Sequence, residues 1–404
     1  MDTITHGIAG ALIGKAVFRG EDLFASRPMN RARVVTWSLM LGAVFPDSDM
    51  VREFVSHNPL LIMTWHRGVT HSLVCMPVFA VILGGLTSAV TRWRKWDAPS
   101  FAALSGIYAM GILSHIFLDL ITTFGTMIWS PLGWSRPAWD LVFIIDFTFS
   151  AILFCPQILA WVYRKPEGLK NRAAISWSIF SLASLGVAAI SNSVGAPISA
   201  AAAVSVIAVL AALFLLPSVR GAGLRIRSAT WNRAGLAAAA LYILAAFLLH
   251  HAALDRVQKF ASLFELQPES LGALPLPPSI WHWDGLVRTA HGVYEVRFDL
   301  SAPRSTSEPQ APGSDGLASL EHRYYPDAAP NPYIDAARRL REVRTFLWFA
   351  RFPVTRFHKE GNEAVVEFLD MRFASSRRDR PSGFTYRVRM DQSANVISQG
   401  WERE

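Results

Sequence analysis

Apolar residues occur along this chain in blocks separated by short polar and basic connections. The blocks are Ile4–Phe18, Val34–Phe45, Val69–Val90, Phe101–Phe124, Leu141–Tyr163, Ala173–Ile190, Ile198–Leu216 and Ala234–Leu249. A helical bilayer crossing takes about 20 residues, so most of these predict spans. The first two are short and predict tilted, flank-extended or partly inserted helices. Residues 1–254 thus read as a helical membrane domain of about eight transmembrane or partly inserted segments.

From Asp255 onward the pattern changes. Gln267–Pro278 is rich in Pro and Leu and reads as a linker, and Ala302–Gly316 as a long loop. Gly292–Leu300, Thr345–Phe357, Glu363–Phe373 and Gly383–Met390 have strand-like composition. In the last, Phe384, Tyr386 and Val388 alternate with Thr385, Arg387 and Arg389, the period of a half-buried strand. Asn331–Glu342 reads as a helix. The expected fold class is an α-helical polytopic membrane protein with a C-terminal, mainly β, soluble domain at residues 255–404.

Composition agrees. Of 404 residues 51% are hydrophobic and only 17% charged, with a mean hydropathy of +0.27. Soluble domains rarely have this balance. The excess of 39 Lys+Arg over 31 Asp+Glu sits mainly in alternate connections. Arg19, Arg27, Arg31 and Arg33 follow the first block; Arg92, Arg94 and Lys95 the third; Arg164, Lys165, Lys170 and Arg172 the fifth; Arg220, Arg225, Arg227 and Arg233 the seventh. By the positive-inside rule these loops are cytoplasmic. Both termini and the β domain then lie outside, which in a Gram-negative cell is the periplasm. No recognition helix, zinc-finger spacing or RNA-binding aromatic signature appears, so no nucleic-acid partner is expected and membrane lipids are. Met1–His6 lacks the basic lead of a cleavable signal. Cys75 and Cys155 lie in apolar blocks and predict neither a disulfide framework nor a thiolate site.

The charge rule places the unusual polar residues at one level, the outer ends of the segments. His6 starts the first segment and Asp47 and Asp49 end the second. His66, Arg67 and His71 precede the third, His115 and Asp119 lie in the outer half of the fourth, and Asp140 and Asp146 begin the fifth. His115 and Asp119, four apart, share a helix face and can ligate one cation, although a helix–helix hydrogen bond is an equally ready explanation for this pair alone. Asp47 and Asp49, in PDSD, follow the helix-ending Pro46 and can point into one site, or simply solvate a turn. In HRGVTHS, Gly68 lets the chain turn so that His66 and His71 face one pocket, and Arg67 offers a donor fork for an anion. An interfacial loop is the bland alternative there. His6 is a ligand candidate among glycines that favour close helix packing. Asp146, flanked by Ile144, Ile145 and Phe147, needs a metal, a ligand histidine or Arg136 as partner. His57, His250, His251, Trp281, His282, Trp283 and the run Arg377, Arg378 and Arg380 rank lower.

Taken in order, THxxxG (His6, Gly10), PDxD (Asp47, Asp49), HRGxTHS (His66, Arg67, Gly68, Thr70, His71, Ser72), HxxxD (His115, Asp119), TxxGT (Thr123, Gly125, Thr126) and Asp146 resemble the YdjM-like inner-membrane proteins over roughly residues 1–150. The resemblance implies a metal-dependent hydrolase of the bacterial inner membrane. A more distant likeness to helical zinc-dependent phospholipase C and nuclease folds suggests attack on a phosphoester, in a lipid or lipid-linked substrate at the outer interface. On this reading a divalent metal, Zn with Mn or Mg as alternatives, is held by His6, Asp47, Asp49, His71, His115, Asp119 and Asp146. His66 and Arg67 serve catalysis. The competing expectations are an ion-coupled transporter, whose site should lie near mid-membrane, and a non-catalytic scaffold presenting the β domain.

Overall fold

The computed structural model describes residues 1–18, 29–56, 60–193, 198–277, 280–301, 321–373 and 384–401. It divides into two compact units, Met1–Asp49 with Arg67–Ala245, and Met50–His66 with Ala246–Glu404. His57, Arg19, Arg27, Arg377, Arg378, Arg380 and the Ala302–Gly316 loop lie outside the described residues.

In the first unit each apolar block contains one helix. α1 (Thr3–Val17) begins where the Asp2 side chain accepts the Thr5 N–H, and α2 (Arg31–Val44) where Asn30 accepts from Arg33. Such caps satisfy otherwise orphaned first-turn donors. A 3₁₀ turn, Phe45–Asp49, follows α2 directly. The second unit contributes the next two short helices, α3 (Met50–Val55) and α4 (Leu61–Thr64). A second 3₁₀ turn covers Val69–His71, and α5 starts only at Met76, running to Trp93. The block at Val69–Val90 is therefore not helical from its start; Pro77, placed in the first turn, suits a helix beginning here.

α6 (Phe101–Leu120) is the hub of the unit, packed by both α2 and α5. Small residues set these distances. A Cβ on Gly10 of α1 would lie 2.6 Å from the Leu39 carbonyl of α2, and one on Gly111 of α6 would lie 2.7 Å from the same oxygen. α2 is thus gripped from both sides with its backbone exposed to its neighbours. Gly84 of α5 meets Ser105 of α6 equally closely. α7 (Phe147–Val162) begins later than the Leu141–Tyr163 block because Asp146 caps it. α8 (Leu169–Ser193), α9 (Ala200–Phe214) and α10 (Ser228–Leu263) complete the set. Among the described residues five helical stretches are long and apolar enough to cross a membrane: Met76–Trp93, Phe101–Leu120, Leu169–Asn192, Ala200–Arg225 and Ser228–Leu263. α1 and α2, at 15 and 14 residues, are shorter.

The second unit is built on two antiparallel four-stranded sheets in sequential order. β1 (Ser270–Pro275), β2 (His282–Thr289), β3 (Gly292–Asp299) and β4 (His322–Pro326) form the first. α11 (Pro332–Arg339) and α12 (Arg341–Phe349) lead to β5 (Pro353–Glu360), β6 (Glu363–Asp370), β7 (Thr385–Met390) and β8 (Val396–Trp401). The boundary expected at residue 255 falls inside α10. Its last turns carry Ala253, Val257 and Phe260 onto Ala273, Trp283, Val287 and Val296 of the first sheet. β1 occupies the stretch that composition marked as a linker. Gly272 within it lets Phe352 approach to 2.6 Å of where a Cβ would sit. The run Thr345–Phe357 is also only half strand: α12 takes it to Phe349, burying Val343, Phe346 and Phe349 at helical spacing.

A candidate metal centre at the turn after α2

Three pieces of the first unit converge on α6. The 3₁₀ turn after α2 delivers Asp47 and Asp49, and the 3₁₀ turn before α5 delivers His71. The last two turns of α6 deliver His115 and Asp119 on one face. All are buried, with His71, His115 and Asp119 at 0% exposure. One ligand atom from each of Asp47, His71, His115 and Asp119 lies within 4.8 Å of the others.

Each imidazole is oriented by a partner behind it. His115 Nδ1 lies 2.6 Å from the Ala43 carbonyl oxygen. A carbonyl only accepts, so Nδ1 carries the proton and Nε2 points its lone pair inward. His71 Nδ1 lies 3.3 Å from Asp49 Oδ2 and 3.0 Å from the Thr70 hydroxyl, again leaving Nε2 for the centre. Asp49 also accepts the Arg67 backbone N–H at 3.1 Å and the Thr70 hydroxyl at 2.9 Å. Expected as a ligand, Asp49 instead stands behind His71, the arrangement that fixes metal-ligating histidines elsewhere. Asp47 accepts from the Thr3 hydroxyl on Oδ2 at 2.5 Å and turns Oδ1 to the histidine pair.

The inner atoms are spaced like ligands. The two Nε2 atoms are 3.0 Å apart. Asp119 Oδ2 is 3.3 Å from His71 Nε2 and 3.4 Å from His115 Nε2. Asp47 Oδ1 is 3.6 and 3.4 Å from the same two nitrogens. Bonds of about 2.0–2.2 Å set tetrahedral ligand atoms roughly 3.3–3.6 Å apart. Asp119 Oδ2 has no hydrogen-bond partner among the described residues. Two inward imidazole nitrogens and two carboxylate oxygens make a donor set suited to Zn, Mn or Fe. The residues present fit a divalent cation.

Electrostatics point the same way. Burial opposes protonation of His71, yet the nearby Asp119, Asp47 and Asp49 carboxylates outweigh it and push the imidazole up to about 10. Burial likewise disfavours the Asp47 carboxylate, but His115 and His71 hold it well below the usual range. The site attracts positive charge strongly.

Arg67 and His6 flank this core. Arg67, not Gly68, takes the left-handed conformation in the HRG turn, with φ 59°. The Asp49 bond and the guanidinium contacts hold it there: Nη2 to Asp119 Oδ1 at 2.9 Å and Nη1 to the Thr122 hydroxyl at 2.9 Å. The terminal amino group of Met1 donates to the same Asp119 oxygen. His6 is fully buried, stacks on His115 at 3.6 Å between ring centroids, and lies 3.3 Å from Asp119 Oδ1. Neither ring nitrogen of His6 has a hydrogen-bond partner among the described residues.

Two expected members stand elsewhere. Asp146 caps α7, accepting the Phe149 N–H at 2.9 Å on Oδ1 and the Tyr242 hydroxyl at 2.6 Å on Oδ2. Both its oxygens are so engaged, by a tyrosine of α10 that no local signal marked. His66 belongs to the second unit, half-buried, its backbone N–H bonded to the Leu61 carbonyl. The sequence reading also missed Thr3, Thr122 and the Ala43 carbonyl, and named Thr70 only as a member of the HRGxTHS string; nothing in the motif strings distinguishes the three from ordinary helix and turn residues. Asp140 is buried, with φ 56°.

A multi-segment helical membrane region holding a buried His/Asp cluster defines the class of protein. Residues 1–194 match the family described as YdjM inner membrane protein. Over 149 residues the chain is 28% identical to the inner membrane protein YdjM of Escherichia coli (strain K12), covering 35% of this chain and 71% of that protein. The inner membrane protein YdjM of Shigella flexneri matches to the same extent. No solved structure matches. This similarity and the five long apolar helices together support a multi-pass inner-membrane protein.

Proposed function

We propose that the chain is a membrane-bound, metal-dependent hydrolase acting at the periplasmic face. The spacing of the Asp47, His71, His115 and Asp119 ligand atoms, given above, carries this reading. A divalent cation bound there supplies Lewis acidity and lowers the pKa of coordinated water. The chain's own groups do the rest. Asp49 and the Ala43 carbonyl hold the two imidazoles in the ligating tautomer. Arg67 neutralises Asp119 at Oδ1, leaving Oδ2 turned to His71 and His115. His6, whose Nε2 lies 3.3 Å from Asp119 Oδ1 beside the cluster, is the group placed to take up or return a proton. The periplasmic assignment rests on the alternation of basic loops, which sets the turn after α2 opposite the Arg92–Lys95 side. A site at that level favours a phosphoester in a lipid or lipid-linked substrate.

The enclosure of the cluster favours a second reading, a structural cation that staples α6 to the two 3₁₀ turns, since four-ligand closed sites are commonly structural. One experiment separates the two. Purified protein, wild type and His115→Ala, is analysed for metal and assayed on phosphodiester and phospholipid substrates. Stoichiometric Zn or Mn and metal-dependent hydrolysis, both lost in the variant, support the hydrolase. Metal that raises the melting temperature without any hydrolysis supports the staple. A metal-free protein that is stable and active defeats both.

A further inference from the structure

Away from the cluster, the first unit contains an apolar cleft of about 320 Å³ between α2 and α5. Its construction follows from the glycines. α2 sits tightly on α6 through Gly42 and Gly111, and α5 sits on α6 through Gly84. Both helices reach α6, so α6 becomes a floor and α2 and α5 the walls. The floor is Tyr108, 2% exposed, whose hydroxyl is bonded to that of Thr87 at 2.7 Å. Val34, Trp37 and Leu41 line one wall, Leu86 and Val90 the other, and Trp96 lies at one end. Leu41, Leu86 and Val90 are 48%, 60% and 45% exposed, so the cleft is open along its length. From Val34 to Leu41 it runs about 10 Å at 1.5 Å per residue.

The Trp96 end is strongly basic. Arg31 is in the first turn of α2 and Arg92 in the last turn of α5, with Arg94 and Lys95 just beyond; all four are exposed. Trp93 stacks against the Arg94 guanidinium at 4.7 Å, in the manner of an interfacial aromatic anchor. Among the described residues no acidic side chain lines the cleft, and Asp97 is the one acidic neighbour in sequence of the Arg92–Trp96 run. An apolar slot opening at a cluster of cations beside interfacial tryptophans has the chemistry of an anionic phospholipid.

We infer that this cleft is a binding site for one anionic phospholipid, its acyl chain between α2 and α5 and its phosphate at Arg31, Arg92, Arg94 and Lys95. This is independent of the His/Asp centre, which the metal assay tests separately.

Native mass spectrometry of the detergent-purified full chain, offered equal phosphatidylglycerol and phosphatidylcholine, tests it. One phosphatidylglycerol should be retained in preference to phosphatidylcholine. Replacing Arg92, Arg94 and Lys95 by Gln should lower that preference about fivefold per charge, on the order of a hundredfold together. Leu86→Trp, which fills the slot, should remove the bound lipid with the metal content unchanged. Equal retention of the two lipids, or undiminished phosphatidylglycerol in either variant, overturns the assignment. If Leu86→Trp does not fold, the charge variant decides alone, since its substitutions lie on the exposed surface.

Discussion

Asp49→Asn probes whether the cluster is organised to hold a metal. Asp49 Oδ2 serves three donors at once: the Arg67 N–H, the Thr70 hydroxyl and His71 Nδ1, at 3.1, 2.9 and 3.3 Å. An asparagine fills the same volume but is neutral. If its oxygen replaces Oδ2, the contacts persist and the negative charge behind the imidazole is gone. If its NH₂ does, it opposes two other donors and drives the proton of His71 to Nε2, the atom needed for ligation. Loss of such an orienting carboxylate costs about 10–100-fold in metal affinity, or about 1.4–2.7 kcal/mol. A compensating effect has the opposite sign. Asp49 is one of three carboxylates that raise His71 to about 10, so a proton competes with the cation at neutral pH. Removing Asp49 weakens that proton. The affinity deficit should therefore widen between pH 7 and pH 9, as rising pH weakens proton competition at His71 more in the wild type than in the variant. Competitive Zn titration against a chromophoric chelator in detergent measures this. Binding within twofold of wild type at both pH values, from a preparation in which His115→Ala abolishes binding, would refute the reasoning.

Three further outcomes are expected. Asp146→Ala should lower the melting temperature, by a lost cap worth about 1 kcal/mol, with the metal stoichiometry unchanged; a fall in metal would place Asp146 at the cation after all. Gly111→Ala puts a methyl 2.7 Å from the Leu39 carbonyl and displaces α2, whose Ala43 carbonyl orients His115. It should cost about 1–3 kcal/mol and weaken metal binding together, and a variant normal in both would contradict this account of the helix contacts. In the β unit, burial and then the Glu295 charge raise the Asp284 carboxyl well above its ordinary value. A raised carboxyl contributes stability below its unfolded pKa and loses it as pH climbs through the folded value. Asp284→Asn should flatten that decline in thermal melts between pH 5 and pH 8; an unchanged slope counts against it.

Much of this protein could be read from order and spacing alone. Each apolar block contains a helix because a run of such residues leaves a chain few alternatives in lipid. His115 and Asp119 were legible as a pair because four residues make one helical turn. What the strings could not carry was the direction of approach. Asp47 and Asp49 sit two apart in one motif, yet one faces the histidine pair and the other backs His71, a difference set by how the 3₁₀ turn rolls against α6. Asp146 looked unpartnered because Tyr242 is 96 residues away. β1 hid in a Pro- and Leu-rich stretch whose strand state is decided by packing on Phe352.

By itself the sequence determined the order of the apolar helices, the basic alternation and the roster of candidate ligating side chains, since these follow from local composition and the helical repeat. Only the tertiary structure decided which of those side chains meet. The 3₁₀ turn before α5 meets α6 so that two imidazole nitrogens lie 3.0 Å apart. Such proximity depends on the packing of helices distant in the chain, which no local pattern encodes.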